Sequence, residues 1–304
     1  MENQQASFTS VLTAFGRAYH SRFDTPKIFD DFLVNDLIAE KEFEEISRNM
    51  VNGIDFFNPS IKEKYQNCPD KILRWINHLQ LAPTSVGRSA YCEQVLHNEI
   101  LLGTTQYVIL GAGLDTYSFR HSDVSNLDIY EVDHPATQES KKLRIQKAGW
   151  SIPSHLHFVP MDFSEGYDCK GLLESSFSPD KKTFFSLLGV SYYLKKEEIA
   201  ELLKALFADV PAGSSIVFDY ADEQLFREKG RSNRVQQMVQ LASATGEPMK
   251  SCFSFEELER LLEETGLLIY EHLSPVDIQE QFFENRSDEL SAFETIHYVH
   301  AEKR

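Results

Sequence analysis

A chain of 304 residues, 42% hydrophobic and 25% charged, is long enough to bury a sizeable core and too apolar for disorder to be the default. Its 30 Lys+Arg against 47 Asp+Glu give a formal charge of −17, a sign that repels phosphate backbones and anionic lipid heads. Neither nucleic acid nor a membrane is therefore an expected partner. No run reaches the roughly 18 apolar residues of a membrane span, and the start, MENQQASFTS, lacks a basic or apolar leader pattern. Cys68, Cys92, Cys169 and Cys252 form no CxxC, which predicts reduced thiols and a cytoplasmic location.

Residues 7–20 place Phe8, Val11, Leu12, Phe15 and Tyr19 at helical spacing. IFDDFLVNDLIAEKEFEEIS, after Pro26, predicts one or two amphipathic helices. NGIDFFNPS reads as a turn from its Asn-Gly and Asn-Pro pairs. KILRWINHLQ and SAYCEQVLHNEILLG complete a helical extension over residues 1–104, which would lid the site. From residue 105 to 304 short β-rich runs alternate with helices. QYVIL, LDIYEVD, HLHFVP, TFFSLL, SSIVFDYA and LLIYEHL read as strands, and ETIHYVHAEKR as a final one. The helices between them are PATQESKKLRIQKAG, with Pro135 at a first-turn position, KKEEIAELLKALFADV, a stretch near 222–245, and SFEELERLLEETG. This alternation predicts an α/β fold with a doubly wound, mostly parallel seven-stranded sheet. Ligands of such sheets bind beyond the C-terminal strand ends.

The residues at those ends are informative. Gly111-Ala112-Gly113 follows YVIL, where a missing Cβ lets backbone approach a ligand. Asp133 stands at the tip of the second strand, twenty residues after Gly113, and a carboxylate there suits ribose hydroxyls. Capping of the next helix by Asp133 or His134 is the competing use. The third glycine of a dinucleotide fingerprint is replaced by Thr116, and Asp115 puts a negative charge where a pyrophosphate would lie. A cationic sulfonium ligand meets no such conflict. Asp162 and Phe163 follow the third strand, suited to an adenine amino group and ring. Gly189 follows the fourth strand, with Tyr192 and Tyr193 available either to face a sulfonium or to pack the sheet rim. His155 and His157 lack metal-binding neighbours, and no GxSxG elbow is present.

VILGAGLDTYSFR, YEVDHPATQESKK and FVPMDF, together with AFGRAYHSRFDTPKIFDDFLV, resemble the leucine carboxyl methyltransferase family over most of the chain. The resemblance implies a Rossmann-like class I methyltransferase fold and S-adenosylmethionine as cofactor. It implies that Gly111 approaches the methionine moiety, with Gly113 and Gly189 in the same cradle. Asp133 would hold the ribose, and Asp162 with Phe163 would flank the adenine. Arg88 resembles the arginine that pairs with the methionine carboxylate. Many members have Glu immediately before the glycine after the fourth strand, and this chain has Leu188. The family implies O-methylation of a carboxylate or hydroxyl on a small molecule or peptide terminus. A carboxylate acceptor needs no base; for a hydroxyl, His134, Tyr192 and Tyr193 are the candidates. Arg17 and Arg22 are expected to supply a local field for an anionic acceptor, unless they serve packing. The alternatives are a nicotinamide-dependent oxidoreductase and a non-catalytic cofactor-binding protein on the same scaffold.

Overall fold

The computed structural model describes residues 7–122, 126–163, 166 and 170–304; Cys169 lies outside them. Seven strands form one sheet: β1 (Gln106–Leu110), β2 (Asp128–Asp133), β3 (Leu156–Pro160), β4 (Thr183–Leu187), β5 (Ser215–Ala221), β6 (Leu267–Leu273) and β7 (Ile296–Lys303). Their order is β3-β2-β1-β4-β5-β7-β6. The first five are parallel, and β7 runs antiparallel between β5 and β6. The direction of winding reverses between β1 and β4, which puts the crevice beyond Leu110 and Leu187.

Alternation along each strand divides the core in two. Tyr107 and Ile109 of β1, Phe184 of β4 and Val217 of β5 pack on one face with Val86, Tyr91 and Val95 of the long helix Ala82–Leu101. Val108, Leu110, Phe185, Leu187 and Phe218 take the other face, against Ile199, Leu202, Leu203 and Leu206 of the helix Lys196–Phe207. The long helix matters for function because it carries Arg88 across the sheet to the end of β4 and β5.

The helical N-terminal region comprises Phe8–Phe23, Glu40–Asn52, Pro69–Ile76 and Ala82–Leu101, with shorter turns between. A buried polar knot ties its first helix to a π-helical turn, Asn77–Leu81. His20 Nδ1 and His78 Nε2 each lie 2.7 Å from one oxygen of Asp24, and the Ile28 N–H donates to His20 Nε2 at 2.8 Å. His20, Asp24 and His78 are almost wholly excluded from solvent. Burial pushes the Asp24 carboxyl up, but the two imidazole hydrogen bonds outweigh it and hold the group at about 2.

Two local expectations are corrected. NGIDFFNPS holds a short helix, Ile54–Phe57, because Ile54 and Phe57 are drawn into an apolar cluster with Ile72 and Trp75. The stretch 222–245 is α-helical only from Arg234 to Ala244, after a 3-10 turn over Arg231–Asn233. Gly230 and Asn233, both at positive φ, break it beforehand. Among the described residues Cys68, Cys92 and Cys252 are free thiols, no helix is long and apolar enough to cross a membrane, and no cluster could hold a metal ion.

Candidate functional site

The site is built from the loops that leave β1, β2, β4 and β5. After β1 the chain turns at Gly111 (φ +71°), where an added Cβ would come within 2.5 Å of Val190 Cγ2. This glycine lets the β1 and β4 loops touch. Gly113 donates its N–H to Asp133 Oδ2 at 2.6 Å, and the His134 N–H donates to Oδ1 at 2.7 Å. Each carboxylate oxygen keeps a further lone pair. Burial holds the Asp133 carboxyl above its ordinary range, against the pull of those two N–H donors.

The competition for the helix cap is settled by His134. Its Nδ1 accepts from the Ala136 N–H at 3.1 Å, with Pro135 opening the helix Pro135–Lys147. Asp133 therefore does not cap that helix, and its half-buried carboxylate holds the Gly113 and His134 N–H groups instead. The other imidazole nitrogen, Nε2, lies 3.5 Å from Asp162 Oδ2. This brings the tips of β2 and β3 together, with Phe163 half-buried beside them. Glu131, on the same face of β2 as Asp133, points into the protein and is paired with Lys141 Nζ at 2.5 Å. Burial raises its pKa to about 7 despite that partner.

Thr116 has a different use from the glycine it replaces. Its hydroxyl donates to Asp31 Oδ1 at 2.5 Å, and Arg17 bridges Asp31 Oδ2 (2.9 Å) to the Leu114 carbonyl (2.8 Å). The first helix is thus pinned to the glycine loop. Its N-terminal end also meets the site: Ser10 lies against Gly113, and Thr9 hydrogen-bonds Glu247. Arg17 is therefore committed to loop packing. Arg22 is committed as well, to Asn35, Glu40 and the face of Phe43. The expected local field for an acceptor does not come from either residue.

A second constellation forms across β4 and β5. Arg88 Nη1 donates to Tyr192 Oη at 2.9 Å and to Asp219 Oδ2 at 3.1 Å. Asp219 Oδ1 accepts the Gly189 N–H at 2.6 Å. Gly189 has φ +73°, and a Cβ there would collide with the guanidinium. The Arg88 Nε and Nη2 atoms have no hydrogen-bond partner among the described residues. Burial would lower the Arg88 pKa, but Tyr192 and Asp219 outweigh it, so the guanidinium stays charged. Burial, and then Asp219, push the Tyr192 phenol far up. Tyr193 packs edge-on to Tyr192, and burial followed by Glu247 raises its phenol to about 12.

Every residue expected at the site, Arg88, Gly111, Gly113, Asp133, Asp162, Phe163, Gly189, Tyr192, Tyr193 and His134, lies at or beside these strand ends. They fall into two groups, one around Asp133 and one around Arg88. Asp219 was missed. Its signal in the sequence is a lone carboxylate inside the apolar run SIVFDYA, fully buried at 0% exposure.

Comparison with known proteins identifies the family and the fold. The model of the leucine carboxyl methyltransferase family matches residues 10–207. The chain is 61% identical, over all of both chains, to YktD of Bacillus subtilis (strain 168), assigned by name to the S-adenosyl-L-methionine-dependent methyltransferases. A Mycobacterium tuberculosis (strain H37Rv) protein similarly assigned, Rv3399, is 26% identical over 71% of this chain and 60% of its own. Among solved structures, a Thermobifida fusca YX protein titled as a methyltransferase covers 100% of this chain and 97% of its own, with TM-score 0.56 and 13% identity. A DUF574 protein of Streptomyces avermitilis covers 89% and 95%, with TM-score 0.55 and 12% identity. These two likenesses concern the fold.

Proposed function

The chain belongs to the leucine carboxyl methyltransferase family and is an S-adenosylmethionine-dependent methyltransferase, and on that premise we propose that it methylates an oxygen of an ionised carboxylate, on a small molecule or a peptide terminus. The residues present fit the cofactor. Gly111 and Gly189, where a Cβ would collide with Val190 and with the Arg88 guanidinium, let the β1 loop, the β4 loop and Arg88 approach one another, Asp133 offers lone pairs to a ribose, and the open edge of Arg88 matches a carboxylate. Asp162 and Phe163 would serve the adenine. When bound, S-adenosylmethionine supplies a methyl group already activated on a sulfonium. The N-terminal helices act as a lid, held by Arg17 and by the Thr9–Glu247 contact, and exclude water from the cleft.

One observation carries the choice of acceptor: among the described residues at these strand ends, none of the three candidates is poised as a base. His134 has its Nδ1 lone pair committed to the helix cap, so Nε2 bears the proton. Tyr192 is locked between Arg88 and Asp219, and Tyr193 is raised to about 12. A carboxylate is ionised at neutral pH and needs only alignment, which supplies much of the acceleration in such transfers. Turnover of a carboxylate substrate should accordingly be flat from about pH 6 to 8.5, and Tyr193→Phe should retain it. A rate that climbs with pH through this range, or that collapses in Tyr193→Phe, would refute the base-free reading.

A further inference from the structure

The loop that follows β1 is held from two directions. On one side its Gly113 N–H donates to Asp133. On the other it is gripped from the N-terminal region: the Leu114 carbonyl accepts from Arg17 Nη2 at 2.8 Å, and the Thr116 hydroxyl donates to Asp31 Oδ1 at 2.5 Å. Asp31 unites these two contacts. Its Oδ2 accepts from Arg17 Nε at 2.9 Å and so fixes the guanidinium that reaches Leu114. The Val34 N–H donates to Oδ1 at 3.3 Å and ties Asp31 to its own turn. Arg120 closes the network, donating from Nε to the Thr116 hydroxyl oxygen at 2.9 Å while its other nitrogens pair with Glu93. Two cations and two acids are thereby balanced. Asp31 and Thr116 are each 1% exposed, so they act on a ligand only through the backbone they hold. That backbone has to approach a ligand closely at Gly111 (φ +71°) and Gly113 (φ +49°). A loop fixed beforehand binds more tightly than one that must be ordered on binding.

Resting on the cofactor reading above, we propose that Asp31 is a positioning residue for S-adenosylmethionine, holding the glycine loop in its ligand-ready form through Thr116 and, by way of Arg17, through Leu114. Thr116, standing where a dinucleotide fingerprint has its third glycine, supplies the hydroxyl that makes this grip possible. The N-terminal region is then part of the cofactor site as well as a cover for it.

Calorimetric titration with S-adenosylhomocysteine, paired with denaturant unfolding of each variant, separates positioning from mere packing. Thr116→Val removes the hydroxyl at nearly constant shape and should weaken the ligand roughly tenfold, as should Asp31→Asn. Thr116→Ser restores the hydroxyl and should bind within about threefold of the unaltered protein. Arg22→Gln is the control: Arg22 lies on the same helix, but its partners are Asn35, Glu40 and Phe43, away from the loop. It should lower stability and leave affinity within about threefold. If Asp31→Asn does not fold, the two Thr116 variants still decide the matter. Unaltered affinity in Thr116→Val or in folded Asp31→Asn overturns the proposal, whatever happens to stability. So does a loss in Thr116→Ser as large as in Thr116→Val, or an equal loss in Arg22→Gln. Failure of the unaltered protein to bind S-adenosylhomocysteine would instead overturn the cofactor reading, and this inference with it.

Discussion

The two sides of the cleft are assembled in different ways. On the β1–β2–β3 side each functional group comes from the tip of its own strand, and its partners are close in sequence. Gly113 and His134 hold Asp133, and Pro135 with His134 begins the next helix. On the β4–β5 side the groups are brought together over long chain separations, Arg88 to Tyr192 across 104 residues and Arg88 to Asp219 across 131. The first side uses backbone donors around one acid and tolerates exposure. The second buries a charge pair, which is favourable only when both partners and their hydrogen bonds are in place. The β1–β2–β3 side should therefore respond to substitution mainly through ligand affinity, whereas the β4–β5 side should respond through affinity and stability together.

The largest effect is expected at Gly189. Gly189→Ala would force a Cβ into the Arg88 guanidinium at a φ of +73°. It should weaken cofactor binding roughly 100-fold or more and destabilise the fold by about 1–3 kcal/mol. Calorimetry and denaturant unfolding on the same preparation check both. Wild-type affinity would mean that Arg88 does not need its present position to bind ligand.

Asp133→Ala comes next. Loss of the proposed charge-assisted hydrogen bonds to the ribose should weaken S-adenosylhomocysteine about 10–100-fold, with a loss of stability of about 1 kcal/mol from the Gly113 and His134 N–H groups that lose their acceptor. Equal affinity in calorimetry would reduce Asp133 to a staple for the Gly113 loop.

Asp24 supplies the control far from either side. With its pKa held at about 2 against an ordinary 3.8, the carboxylate stabilises the folded chain by about 2 kcal/mol. A folded-state pKa below the unfolded one means that this contribution is complete above about pH 5 and is lost as pH falls from about 4 toward 2. Asp24→Asn should thus be less stable by about that amount at pH 7, with the gap narrowing in acid, while cofactor affinity moves less than about threefold. A gap independent of pH would show that the imidazoles do not depend on the charge.

The contrast between the two sides also explains what could be read from the sequence. Strand–helix alternation, GAGLDT and the acid at the tip of β2 are local patterns, and the sheet and the Asp133 side follow from them. The tail was legible as a strand, but its antiparallel insertion between β5 and β6 is a long-range fact with no local mark. Asp219 was passed over because an acid in SIVFDYA looks like a strand residue until Arg88 is brought to it. The sequence does not reveal that Arg17 and Arg22 are paired within the protein, because their partners, Asp31 and Glu40, are separated from them by a turn whose path it does not specify. Thr116 was informative as a missing glycine, and only the fold reveals its hydrogen bond to Asp31.

Methyl transfer to a carboxylate is tested by the chemistry of the product. Methyl-labelled S-adenosylmethionine would be incubated with the protein and a panel of carboxylic acids and phenols, and the labelled products treated with mild alkali. Methyl esters hydrolyse and release volatile labelled methanol, whereas aryl methyl ethers and N-methyl groups keep their label. Transferred label should be released by alkali and should arise from the carboxylic acids. Label that survives alkali and arises from the phenols would contradict methyl transfer to a carboxylate, and would require a base that His134, Tyr192 and Tyr193 do not provide.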